Sequence, residues 1–201
     1  MKKIILLLTL AVIAYFSALG QKKTKSADIF QKIDGDTLFI SVSRNFTLDK
    51  YLPPIGLTPG GNTVFYLNEG ISDKNFINSA SLVAGQEKVC IYRLSESVSS
   101  EECLLFIAKE DGILPNAQRL LMAFIQLDEF EFLSLEKDEI VGLDESFRLW
   151  ASPFGCHQMM AIGKNILEEL CFSLRCFEDK IPQGSYIIFT QSVKAKRRHF
   201  K

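Results

Sequence analysis

Apolar and polar positions alternate with different periods along the chain, and the changes of period mark its elements. Ile29 to Ile33, the turn Asp34-Gly35-Asp36, and Thr37 to Ser43 read as strand, tight turn and strand, with Asp-Gly supplying the positive φ angles of a short hairpin. Tyr51 to Asn62 carries Pro53, Pro54, Gly56, Pro59, Gly60 and Gly61 and reads as loop. Thr63–Leu67, Glu87–Leu94 and Cys103–Lys109 are strand-like. The polar loop Ser95–Glu102 joins the last two as an expected antiparallel hairpin. Pro115 suits a first helical turn, and Leu120, Leu121, Phe124 and Leu127 follow at helical spacing. Glu129-Phe130-Glu131-Phe132 alternates strictly, as a half-buried strand does. Ser152-Pro153 opens what reads as the longest helix, with Met159, Ile162, Ile166, Leu170, Leu174 and Phe177 at steps of three or four. Tyr186–Thr190 is a final strand. The expected fold class is α+β, an antiparallel β-sheet packed against one long amphipathic helix and a shorter one.

The first twenty residues follow a different rule. Met1-Lys2-Lys3 precedes an apolar run from Ile4 to Leu19, broken only by Thr9 and Ser17, and Ala18-Leu19-Gly20 sets small residues at −3 and −1 of a cut before Gln21. This reads as an export signal at 1–20. An uncleaved anchor is the alternative, although the apolar run is short for a membrane span. The boundaries that follow are a basic arm at 21–28, one domain at 29–193 and a basic tail at 194–201. A leader ending Ala-Leu-Gly before Gln-Lys-Lys resembles those of Gram-negative, Bacteroidetes-type bacteria. The expected location is periplasmic or extracellular, with no transmembrane span after cleavage.

Composition fits a folded chain: 201 residues, 47% hydrophobic, 23% charged, net charge −1. Removing 1–20 takes Lys2 and Lys3 and no acid, leaving 21 basic against 24 acidic residues. That balance speaks against a nucleic-acid partner. The charge is uneven, however. Residues 128–145 hold eight acids and one lysine, which reads as a wet face rather than a cation site because no D-x-D-x-D-G spacing is present. Lys194, Lys196, Arg197, Arg198 and Lys201 crowd the tail and are the candidate binding residues for an anionic partner.

Candidate chemistry is sparse. Two histidines, His157 and His199, cannot build a clustered zinc site, and no G-x-S-x-G turn supports a serine hydrolase. No metal or cofactor is expected. Cys156-His157, at the start of the expected long helix, is the one catalytic candidate, because helix N-terminal amides favour a thiolate. Neighbours on a helix point about 100° apart, so His157 is poorly placed as its base. Five cysteines, Cys90, Cys103, Cys156, Cys171 and Cys176, leave at least one unpaired after export. Neither a Cys171–Cys176 nor a Cys90–Cys103 bridge follows from the expected elements, so most read as buried thiols.

Two short resemblances complete the reading. Phe30 to Leu67, with Gly35-Asp36-Thr37-Leu38-Phe39 and Leu57-Thr58-Pro59-Gly60, resembles a LysM glycan-binding module, and that resemblance implies peptidoglycan binding through residues 28–68. Pro53-Pro54 departs from its second helix. Asp36-Thr37-Leu38 resembles the short O-glycosylation acceptor of Bacteroidetes. Taken together, the sequence points to an exported protein that binds a protein or an anionic envelope component rather than an enzyme, with thiol chemistry at Cys156 as the alternative.

Overall fold

The computed structural model describes residues 29–33, 37–57, 63–76, 82–114, 116–127, 139–143, 156–165, 167 and 169–193. Their centre is β5 (Gly85–Leu94), where Val89, Cys90, Tyr92 and Leu94 are buried and Ile91 is half-buried, so residues of both faces are covered. On one side β5 pairs antiparallel with β9 (Tyr186–Ser192), from Arg93↔Tyr186 to Glu87↔Ser192. On its other side lie both β1 (Phe30–Lys32) and β2 (Phe39–Val42), each antiparallel to β5.

The expected hairpin between these first two strands is therefore not formed. Lys32 faces Tyr92 and Phe39 faces Lys88, so seven steps on this side meet four on β5. Both strands run antiparallel to β5 and so in the same direction as each other, and Asp34-Gly35-Asp36 lies outside the described residues. One ten-residue strand satisfies the backbone of both short ones.

The remaining strands extend the sheet beyond β9. They are β6 (Ile140–Val141), β7 (Gln158–Lys164), β8 (Leu170–Cys176), β4 (Thr63–Leu67) and β3 (Gly56–Leu57). Among the described residues the sheet has nine strands, in the order β1-β5-β9-β6-β7-β8-β4-β3 with β2 beside β5. The β6–β9 and β4–β8 pairs are parallel, so the sheet is mixed and not purely antiparallel. β2 and β4, which carry the LysM-like segments, lie near opposite ends of this order and form no local module.

The expected long helix over 153–177 is replaced by the antiparallel hairpin β7–β8, paired from Gln158↔Cys176 to Lys164↔Leu170. Met159, Met160, Ala161 and Ile162 are all buried. A strand covered on both faces has no polar alternation, so its apolar residues match a helical period as readily as any other. The hairpin turns at Asn165, whose Oδ1 accepts the backbone N–H groups of Leu167 at 2.9 Å and Glu169 at 3.0 Å. An Asx turn of this kind is a reversal signal, and Gly163 and Asn165 were its local trace.

Among the described residues there are three helices: α1 (Leu48–Tyr51), α2 (Ser100–Lys109) and α3 (Ala117–Gln126). α2 stands where Cys103–Lys109 reads as a strand. Ser99 Oγ accepts the Glu102 N–H at 3.2 Å while Glu102 Oε2 accepts the Ser99 N–H at 3.1 Å, a reciprocal cap that commits this short apolar run to helix. Phe106 then stacks on Phe30 at 4.0 Å and meets the edge of Tyr92 at 4.9 Å. Ser99→Ala is expected to cost about 1 kcal/mol, read as a lowered urea midpoint with unchanged slope.

α3 is the expected helix after Pro115. Asn116 caps it by accepting the Arg119 N–H at 2.8 Å, and every residue from Ala117 to Phe124 is buried. Burial all round marks a helix enclosed by the fold. Phe124 meets Phe172 of β8 edge-to-face at 5.2 Å, and Gln126 bonds both the N–H and the carbonyl of Ser41 in β2, at 2.7 and 2.9 Å. Among the described residues no helix is long and apolar enough to cross a membrane.

Candidate functional site

Successive side chains of β8 point to opposite faces of the sheet. Phe172 is buried on the α3 face, whereas Cys171, Ser173 and Arg175, all half-buried, emerge on the other. Here they line a recess of about 320 Å³ with Glu139 before β6, Lys164 at the end of β7, and Gln183 and Ser185 before β9. Arg175 forms an ion pair with Glu139, both half-buried. Burial draws the Arg175 pKa down, and nearby Asp179 acts in the opposite direction. Burial also raises the pKa of the Cys171 thiol, with Glu169 adding to the effect and a backbone hydrogen bond from Asn165 opposing it. The recess offers two cations, one carboxylate and several neutral hydrogen-bonding groups. With Arg175 engaged by Glu139, the charged groups of this lining sum to one positive charge, a balance suited to a small polar anion.

Cys156 and His157 lie at the other end of the β7–β8 hairpin. The sulfur of Cys156 is bonded to that of Cys176, with the Cα atoms 5.7 Å apart. Residues 156–164 contain no helix; Cys156 leads into β7, so the expected helix N-terminus that would have favoured its thiolate is not there. His157 is engaged by Glu178: Nδ1 lies 2.6 Å from Oε1, and the backbone N–H donates to Oε2 at 3.1 Å. The bond from the His157 ring is the main reason that the Glu178 carboxyl is held below the ordinary carboxylate range. Of the five cysteines expected to be mostly buried thiols, only Cys90 and Cys103 are, Cys171 being a half-buried thiol and the other two bonded; burial pushes Cys103 up to about 12. The Cys156–Cys176 pairing was hidden because both residues fell on the misread helix.

The basic tail, Lys194, Lys196, Arg197, Arg198 and Lys201, lies outside the described residues, as do His199, the leader 1–20, the arm 21–28 and most of the acidic segment. From that segment Glu139 is described, and it sits in the recess. The register also fixes where the two cationic ends leave the sheet. β1 begins opposite Leu94 and β9 ends opposite Glu87, about 23 Å apart along β5, so the arm and the tail start from opposite ends of the central strand.

Lys164, Ser173, Arg175 and Gln183 were not singled out from the sequence. For Ser173 and Arg175 the signal was the alternation Phe172-Ser173-Leu174-Arg175, which a helical reading of 153–177 overrode. No protein-family model, no curated protein and no solved structure matches this chain.

Proposed function

We propose that this is an exported, non-catalytic protein that binds an anionic component of the cell envelope, with the β6–β8 recess as its ligand site and the basic tail as a second contact. The observation that carries this reading is the recess itself, about 320 Å³, with Lys164 and the Arg175–Glu139 ion pair set among neutral polar groups. That volume is at the small end for ligand sites and suits one sugar- or amino-acid-sized group bearing a carboxylate. The Cys156–Cys176 bond supports an oxidising destination, where such bonds persist. It also favours binding over thiol chemistry, since a bonded sulfur is not available as a nucleophile.

Residues 21–201 mixed with purified peptidoglycan sacculi test the reading. Wild type is expected to co-sediment, and Lys164→Glu to weaken retention about tenfold, or ~1.4 kcal/mol, by reversing a charge at the recess. Absence of retention for the wild-type chain, or retention unaltered in Lys164→Glu, would remove the recess from the function.

A further inference from the structure

A cluster of metal-ligating side chains lies outside the recess. Sγ of Cys156, Sγ of Cys176 and a carboxylate oxygen of Glu178 all fall within 4.8 Å of one another. An amide donor accompanies the two sulfurs: Gln158 Nε2 lies 2.7 Å from Cys156 Sγ and 3.4 Å from Cys176 Sγ. The cluster is reachable, since both cysteines are half-buried and Glu178 is exposed.

We propose that, once the Cys156–Cys176 bond is reduced, this hairpin end binds one zinc-class divalent cation through the Cys156 and Cys176 thiolates and the Glu178 carboxylate. Two thiolates with a carboxylate form a donor set that suits zinc, and solvent completes the fourth position of an accessible site. Thiolates bound to zinc at about 2.3 Å stand roughly 3.8 Å apart, which two cysteines on paired strand ends with Cα atoms 5.7 Å apart can span. The Gln158 N–H groups favour the charged thiolates over the neutral disulfide, because a hydrogen bond to an ionised acceptor is the stronger one. His157, against Glu178, orients the carboxylate as an outer partner of the site.

The two states exclude each other. A phosphine takes the oxygen of one water, becoming its oxide, while the sulfur–sulfur bond gains two electrons and two protons to give two thiols. The cation then displaces both thiol protons. Binding at this end is separate from the recess, because Gln158 and Cys176 share one face of the hairpin while Met159 and Arg175 share the other.

Cobalt(II) is the probe. Residues 21–201 are reduced with a phosphine, freed of it without oxygen, and titrated. The reduced chain is expected to take one cobalt with a thiolate-to-metal band in the near ultraviolet and intense tetrahedral bands in the visible. Cobalt uptake should release about two protons per metal, and zinc added afterwards should bleach both bands without further proton release. Glu178→Gln should weaken binding tenfold or more, and Cys156→Ser should abolish the thiolate band. The oxidised wild-type chain is the control that needs no substitution, and it should show no band. A reduced chain without the band, an oxidised chain with it, or a Cys156→Ser chain that keeps it at full intensity overturns the proposal.

Discussion

Glu87→Ala is expected to be among the most destabilising single changes in the molecule, at about 3–5 kcal/mol, because it strips a buried guanidinium of its counter-ion. Arg119 on α3 is 4% exposed, and its Nε and Nη2 donate to the two Glu87 carboxylate oxygens at 3.0 and 3.2 Å. Thr190 Oγ1 of β9 donates to the same carboxylate at 2.5 Å. The carboxylate thus ties the enclosed helix to both central strands, and removing it leaves a charge in a place that water does not reach. Replacing both partners with apolar residues, Glu87→Leu with Arg119→Met, should cost far less than Glu87→Ala alone, since neither charge then remains buried. Urea unfolding of the single and double variants gives the comparison. A Glu87→Ala loss under 1 kcal/mol would mean that solvent or another group compensates Arg119.

Phe172→Ala should lose about 3–5 kcal/mol through a different cause, a cavity in the core. Phe172 is fully buried against Phe124, and its strand is fixed on both sides, by β7 and by β4. With both neighbours held by ladder hydrogen bonds, the strand has little freedom to collapse into the space left behind. Phe65→Ala on β4 is the matched control. That ring is 57% exposed, and its truncation is expected to stay within about 0.5 kcal/mol. Equal losses at the two positions would contradict the burial described for β8.

Elements whose pattern had one reading were legible in the sequence. β4, β5, β9 and α3 form where the alternation, the apolar run and the proline signal place them. The failures share a cause. Cys103–Lys109 and Met159–Phe177 are apolar runs that fit both helix and strand, and in each the deciding residue is a short polar side chain at the end of the run. For α2 it is the Ser99–Glu102 cap, and for β7–β8 it is the Asn165 turn. A close reading of those end residues distinguishes the two outcomes; the apolar period alone does not. Long-range pairing was beyond reach for another reason. That β1 and β2 share one edge of β5, and that β4 runs parallel to β8, depends on which edges remain open after the central strands have paired. The recess was lost with the hairpin that builds it, since Ser173 and Arg175 share a face only in a strand and Lys164 lines the recess only because the hairpin's turn end stands beside them.

Residue-resolved amide shifts on adding a soluble, carboxylate-bearing peptidoglycan fragment to residues 21–201 test the central claim, that the β6–β8 recess holds an anionic envelope ligand. The predicted result is saturable shifts at Lys164, Ser173, Arg175 and Gln183, lost in Lys164→Glu. Shifts confined to residues 194–201, or none at all, would contradict it.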